Sequence, residues 1–244
     1  MADHSKDDCI ERGLFITFEG GDGAGKSTHL HLVAEALRAR GQEVVCLREP
    51  GGTAIGEQLR EIVLDTNNRV MCDECELLIY EAARAQLVAQ VIAPALERKA
   101  VVLCDRFLDS TIAYQVYGRG LDRAFTDAAN DFVCQGVQPD RTVVMLTGGD
   151  AHEGIERATL HKDADRLELA GLDFHQRVND AYLAIAAEHP ERVRLVVSDE
   201  SKERTVAKVF AQLADLFTWM GDASICDETY FEHLVLSCAD GARS

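Results

Sequence analysis

The chain reads as an α/β protein whose parallel sheet is buried between helices on both faces. Three observations predict it. Short apolar runs with β-branched and aromatic members alternate with longer segments whose apolar residues recur every three or four positions. Such alternation implies parallel strands joined by crossover helices. At 244 residues the chain can fill one large core, and no internal repeat, low-complexity tract or linker divides it.

The elements follow in order. Leu14, Phe15, Ile16, Thr17 and Phe18 form the first run, a buried strand. Beyond Thr28 the apolar residues Leu30, Val33, Ala34 and Leu37 keep helical spacing, and Gly41 sits where that helix should stop. A second strand is expected over 43–47, then helices over 55–64 and 76–96. Val101, Val102, Leu103 and Cys104 make a third, buried strand. A helix over 123–133 and a fourth strand over 142–146 come next. Helices over 152–160 and 171–188, a fifth strand over 193–197 and a closing helix over 202–217 complete the pattern. Ligands of such sheets bind beyond the carboxyl ends of the strands, so the loops there should carry the chemistry.

Composition narrows the partners. The net charge of −17 argues against nucleic acid, because phosphate contacts need an excess of Lys and Arg. No apolar run approaches a membrane span. The first dozen residues, MADHSKDDCIER, lack the apolar centre of a signal peptide and read as a disordered leader over 1–12 of a cytoplasmic protein. Of the eight cysteines, Cys46 and Cys104 fall in strand-like runs, where the residue acts as a small hydrophobe. Cys72 and Cys75 are the only close pair. No second pair or His pair follows at zinc spacing, which weighs against a metal site there.

The stretch FEGGDGAGKST, from Phe18 to Thr28, carries the strongest signal. Glycine costs backbone entropy wherever it is ordered, so four in six residues need a geometric reason. The order Gly20, Gly21, Asp22, Gly23, Ala24, Gly25, Lys26, Ser27 fits G-x-x-x-x-G-K-[ST], the loop whose amides cradle phosphates. It joins a strand to a helix whose N-terminus adds a positive dipole end. Lys26 is placed to reach the β- and γ-phosphates of a nucleotide, and the Ser27 hydroxyl to ligate Mg²⁺. A plain glycine turn with an exposed lysine is the bland alternative; the strand before and the helix after count against it.

Two more strand ends deliver an arginine beside a carboxylate. Arg48-Glu49-Pro50-Gly51-Gly52-Thr53 follows the second strand, and Asp105-Arg106-Phe107 the third, with Asp109-Ser110-Thr111 after it. Either arginine could be an idle surface pair. Two of them beside a phosphate loop favour phosphate binding, which a guanidinium fork suits. Asp105 has two readings: a carboxylate that handles Mg²⁺, or a partner that holds Arg106.

Taken together, the ordered motifs resemble the thymidylate kinase family over roughly residues 13 to 215. They are FEGGDGAGKST, REPGGT at Arg48 to Thr53, EAARAQ at Glu81 to Gln86, CDRFLDSTIAYQVYGRG at Cys104 to Gly120, QPD at Gln138 to Asp140 and DRLE at Asp165 to Glu168. The resemblance implies a three-layer α/β/α P-loop fold with a central five-stranded parallel sheet and a short lid around 158–168. It implies one kinase domain over 13–217 and leaves 218–244 as an extension. It implies transfer of the γ-phosphoryl of ATP to dTMP, with Mg²⁺, in a homodimer. By position, Lys26 and the loop Gly20–Thr28 would hold the ATP phosphates. Arg48 and Arg106 would clamp the acceptor phosphate and the transferring group. Tyr80 would stack on thymine and Arg84 would donate to a base carbonyl. Thr111 and Gln115 would touch the base and sugar region, with Ser110 and Pro50 in the same pocket, and Tyr114 would crowd the ribose 2′ position. A cis Glu49–Pro50 bond is expected on the same ground. Tyr80 also fits a half-buried core aromatic.

The chain departs from the family pattern in the lid, where residues 158–165 read ATLHKDAD and offer only His161 and Lys162 as bases. Asp22 stands where some members carry a P-loop arginine, and it would repel phosphate unless it faces Mg²⁺ or the acceptor sugar. The missing cation is then expected from the lid. Arg166 is favoured as catalytic because a guanidinium spans two phosphate oxygens, with Arg157 at the lid's base beside ATP. In the extension, Tyr230, Phe231, Leu234, Val235 and Leu236 fit either a short amphipathic helix or a dimer contact. Two other functions compete: a kinase for dUMP or dCMP on the same fold, and a nucleotide-binding switch without transferase activity.

Overall fold

Five parallel strands lie in the order β2-β3-β1-β4-β5. The structure, a computed structural model, describes residues 12–147 and 165–241. Most of the leader, the helix expected over 152–160, Arg157, His161 and Lys162 lie outside the described residues.

The strands are β1 (Leu14–Glu19), β2 (Val44–Arg48), β3 (Val101–Asp105), β4 (Arg141–Leu146) and β5 (Val193–Val197). Every residue of β1 is buried, as its central place requires. Side chains alternate between faces even though the run is nearly all apolar. Leu14, Ile16 and Phe18 enter one core with α1 (Lys26–Ala39) above them, while Phe15 enters the opposite one. The second face is covered by α2 (Ala54–Leu64), α3 (Asp73–Leu87), α4 (Ala93–Glu97), α5 (Leu108–Thr111), α6 (Arg123–Cys134) and α7 (Leu172–Glu188), and the first by α1 and α8 (Lys202–Leu213). These layers are the three-layer α/β/α arrangement with five parallel strands that the sequence predicts.

Three elements differ from the sequence reading. The helix expected over 76–96 begins at Asp73 and passes through one wide π-turn, Val88–Ile92, before α4. The segment after β3 is helical, α5 running into a second wide turn, Ile112–Gly118. The closing helix stops at Leu213. There the Phe217 N–H reaches back to the Leu213 carbonyl, and the chain turns inward.

That turn puts the C-terminal segment into the first core. Trp219, Met220, Phe231 and Leu234 are buried beside α1 and α8. The Phe210 ring of α8 meets Trp219 at 5.7 Å and Phe231 at 5.2 Å, both edge to face. Arg40, just past α1, lies over the Trp219 ring at 4.4 Å. Residues Glu228–Gly241 form α9, an amphipathic helix; Phe231 and Leu234 are spent on the chain's own core rather than on a partner. Trp219→Ala should therefore cost about 3–5 kcal/mol of stability, as large-to-small core changes do. A urea midpoint unchanged from the parent would contradict this packing.

Candidate active site

The site grows out of the carboxyl ends of β1, β3 and β2. Register places Phe18 beside Asp105 and Arg48 beside Asp105, so three loops leave the sheet together. The loop after β1 needs its glycines. Gly20 has φ 127°, and a Cβ there would lie 2.1 Å from the Met145 carbonyl oxygen. Gly25 has φ 90° and opens α1, whose first amides face the loop. Lys26 is 7% exposed; its Nζ donates to the carbonyls of Gly20 (3.1 Å) and Gly21 (2.8 Å) across the loop. Burial, with the Arg106 charge nearby, lowers its pKa to about 8. Ala24 is buried and its carbonyl accepts from Ser198 past β5 (3.0 Å), while Thr28 is exposed on α1.

Arg106 leaves β3 with φ 72°, a left-handed conformation uncommon outside glycine. Its guanidinium donates to Asp22 (2.6 Å) and to the Gly20 carbonyl (3.1 Å), and lies 5.0 Å from the Tyr114 ring centre. Asp22 also accepts from Tyr114 Oη at 3.4 Å. Burial alone would raise the Asp22 pKa, but Arg106 and Lys26 outweigh it and hold the carboxyl below its usual range. Asp22, expected to face Mg²⁺ or the acceptor sugar, lines the cavity and is held there by Arg106. Asp105 accepts from the Ser27 hydroxyl instead of holding Arg106, so Ser27 and Asp105 form the oxygen pair at the mouth of the loop.

After β2 the Glu49–Pro50 peptide is cis, as the resemblance implies. Arg48 is half-exposed and pairs with Glu57 at 2.7 Å. Pro50 offers its carbonyl to Arg60 of α2 at 2.9 Å. Arg60 is a cation that motif reading missed. Only its position four residues before Leu64, which lines the same cavity, could have pointed to it.

The far wall comes from α3 and the helical segment after β3. Glu76, Tyr80 and Arg84 recur every four residues and so share one face of α3. Tyr80 is both part of the second-face core and a wall of the cavity. Arg84 is 1% exposed, and its donors are fully engaged. They go to Glu49 (2.9–3.1 Å), Glu81 (2.9 Å), Asn130 (2.5 Å) and Thr111 (2.7 Å). A base carbonyl can therefore reach Arg84 only by sharing or displacing one of these bonds. Gln115 gives its amide N–H to Glu76 (2.9 Å), leaving its carbonyl as the acceptor.

Arg166, expected to be catalytic, is not among the residues that line the cavity. Asp165, Leu167 and Glu168 line the cavity, but Arg166 turns aside. Its guanidinium pairs with Glu76 and donates to the Val63 carbonyl at 2.9 Å. Glu76 is fully buried and also binds Arg119 (3.0 Å). A buried carboxylate needs such partners, and the Arg166 guanidinium is spent on Glu76 and the Val63 carbonyl.

One cavity of about 370 Å³ joins these parts. Lys26, Ser27 and Asp105 lie at its P-loop end, Arg48, Arg60 and Arg106 around it, and Tyr80, Thr111, Tyr114 and Gln115 on the far wall. A phosphate loop at one end and an aromatic, amide-lined pocket at the other define a P-loop phosphotransferase class of site.

Comparison with known proteins narrows that class. Residues 18–209 match the family model for thymidylate kinase. A thymidylate kinase from Pseudomonas fluorescens is 52% identical over 184 residues, covering 75% of this chain and 87% of that protein. One from Alcanivorax borkumensis is 45% identical over 207 residues, covering 85% and 99%. A crystal structure of thymidylate kinase from Ehrlichia chaffeensis superposes with a TM-score of 0.67 at 33% identity, covering 84% of this chain and 98% of that one. The chain belongs to the thymidylate kinase family.

Removing Arg166 should act on stability rather than on chemistry. Arg166→Ala takes one donor from Glu76 and should cost about 1–3 kcal/mol near neutral pH. Burial would raise the Glu76 pKa, but Arg119, Gln115 and Arg166 hold it below the ordinary glutamate value. A carboxylate with a lowered folded pKa stabilises above its unfolded pKa and loses that contribution as pH falls through the folded one. The deficit of Arg166→Ala should shrink in acid, and kcat should stay within about threefold. A drop of about a hundredfold in kcat with unchanged denaturant stability would restore the catalytic reading.

Proposed function

We propose that the chain transfers the γ-phosphoryl group of ATP to dTMP, giving dTDP and ADP. The carrying observation is that the P-loop lysine and the Tyr80–Gln115 pocket open into one cavity, with Arg106 between them. Phosphoryl transfer needs positioning and cations around three equatorial oxygens, and no covalent nucleophile. The P-loop amides and Lys26 serve the ATP phosphates. Arg106 faces both ends, suited to the transferring group. Arg48 and Arg60 serve the acceptor phosphate; the half-exposed Arg48–Glu57 pair is worth little and readily exchanged. Tyr80 supplies an aromatic face for the base, the Gln115 carbonyl suits a ring N–H, and Tyr114 narrows the space at the sugar. Ser27 and Asp105 offer the hard oxygen ligands that Mg²⁺ takes one or two at a time beside water and phosphate. When bound there, Mg²⁺ would neutralise charge on the phosphate oxygens.

The same reading includes a homodimer in a reducing, cytoplasmic setting. Ile55 and Ile62 of α2, Leu78 of α3, and Phe125 and Phe132 of α6 are exposed, and Phe132 is 82% so. The two isoleucines are seven residues apart, as are the two phenylalanines, so each pair lies on one helix face. Such a surface suits a second copy. The seven cysteines of the described residues are free thiols, as a reducing compartment favours. No described helix is long and apolar enough to cross a membrane.

ADP release against a panel of monophosphates tests the reaction. We expect dTMP to lead. The thymine methyl is worth about 1 kcal/mol, so dUMP should fall severalfold in kcat/KM. Cytosine presents an acceptor where Gln115 awaits a donor, and should cost about 2–4 kcal/mol. Tight ATP binding with no turnover of any monophosphate would sink the assignment in favour of a switch.

Lys26→Ala should lose at least about a hundredfold in kcat while the fold survives. Near-normal turnover in that folded variant would remove the P-loop lysine from the mechanism. In the same preparations, Phe132→Asp should shift the solution mass from twice 26.8 kDa toward 26.8 kDa. An unchanged mass would place the interface elsewhere.

A further inference from the structure

Glu19, the last residue of β1, is fully buried and stands behind the P-loop rather than in the cavity. Its carboxylate is not used by the chemistry above. Three groups donate to it: the Phe107 backbone N–H at 2.7 Å, the Ser110 hydroxyl at 2.5 Å and the Tyr182 hydroxyl at 3.0 Å. All three surround Arg106. Phe107 is the next residue, so the bond to its N–H fixes the peptide on the carboxyl side of Arg106. On the amino side, the Arg106 N–H donates to the Phe18 carbonyl at 2.9 Å, one residue before Glu19. The left-handed φ of 72° at Arg106 is thereby pinned from both sides by adjacent residues of β1. Such a conformation persists only where its surroundings over-determine it. The two hydroxyls then act on the side chain. Ser110 Oγ and Tyr182 Oη, 3.0 Å apart, both stand as acceptors to Arg106 Nη1, at 3.2 Å and 3.4 Å. With their protons drawn toward Glu19, their lone pairs are free to face the guanidinium.

We infer that Glu19 is the positioning residue for Arg106, setting its backbone through the Phe107 amide and its guanidinium through Ser110 and Tyr182. This rests on the reading of Arg106 as the cation at the transferring phosphoryl. Tyr182 belongs to the same device and comes from α7, far along the chain. Burial, with Asp109 nearby, pushes the Glu19 pKa up to about 7, and above that pH its carboxylate can accept all three bonds at once. An amide in its place keeps one acceptor oxygen and turns an NH₂ toward the hydroxyls, reversing at least one of them.

The test is a double-mutant cycle read in kcat, with ATP affinity and thermal stability measured beside it. Glu19→Gln should lower kcat for dTMP by about tenfold to a hundredfold, the scale of a small misplacement of a catalytic group. ATP affinity should stay within about twofold to threefold, since Lys26 and the loop amides are untouched. In an Arg106→Ala background the same change should have no further effect on kcat beyond about twofold. A purely structural role would give the same loss in both backgrounds, and that result overturns the inference, as does a kcat unchanged in Glu19→Gln. Should that variant fail to fold, Tyr182→Phe carries the test: a loss of about threefold or more that vanishes in Arg106→Ala supports positioning, and silence or an undiminished loss overturns it. Parent enzyme without dTMP turnover would instead overturn the functional reading, a result distinct from active parent with silent variants.

Discussion

The adjacency of β1 and β3 is the constraint on which the rest of the site depends. The two strands pair in parallel with Phe18 beside Asp105, yet the chain leaves them in opposite directions. After β1 it enters α1 on one face; after β3 it enters α5 on the other. A crevice opens where neighbouring strands part in this way, and ligands of parallel sheets settle there. One lip of the crevice supplies amides and Lys26, the other Arg106. In a protein of net charge −17, these cations must be gathered by topology, since composition works against them. Each is held meanwhile by a carboxylate or a carbonyl: Asp22 and the Gly20 carbonyl for Arg106, Glu57 for Arg48, the Pro50 carbonyl for Arg60.

The two ends of the cavity are built to different stiffness. Glu49 and Arg84 are both almost fully buried, and breaking such a pair leaves a desolvated charge at a cost of about 3–5 kcal/mol. Glu81, Asn130 and Thr111 complete that cluster, and the Glu76 cluster lies along the same helix. Arg48 and Glu57 are half-exposed, and a pair of that kind contributes about 0–1 kcal/mol. The end of the cavity walled by α3 is therefore rigid, while the Arg48 guanidinium can change partners at little cost. This division suits a site that must discriminate among flat bases yet follow a phosphoryl group as it moves.

Local signals made the P-loop legible: glycine spacing, Lys26 and Ser27 lie within eight residues, and strand-then-helix context confirms them. The strands were legible for the same reason, as continuous apolar runs. What was not legible depends on residues brought from far along the chain. Arg84 reads as a donor to a base, and nothing local shows that Glu49, 35 residues earlier, also accepts from it. Arg166 falls within the lid segment in sequence, but its partner Glu76 lies 90 residues before it. Asp22 and Arg106 meet across 84 residues. Charge type and spacing place a residue on a surface; only the fold chooses its partner.

The helix after β3 shows a second limit of periodicity. Asp109, Ser110 and Thr111 resemble a turn because their side chains compete for backbone hydrogen bonds. The wide turn Ile112–Gly118 then breaks the 3.6-residue repeat that would reveal a helix. Close tertiary packing accompanies it. At Gly118 the Phe174 ring of α7 comes within 2.6 Å of where a Cβ would stand, so the turn accepts α7 only because that residue is glycine. The same close approach brings Phe174 edge-on to Tyr114 at 5.9 Å and seats Tyr182, two turns further along α7, against Ser110 at 3.0 Å. The wide turn thus lies where Tyr114 lines the cavity and where α7 meets the arginine loop through Tyr182.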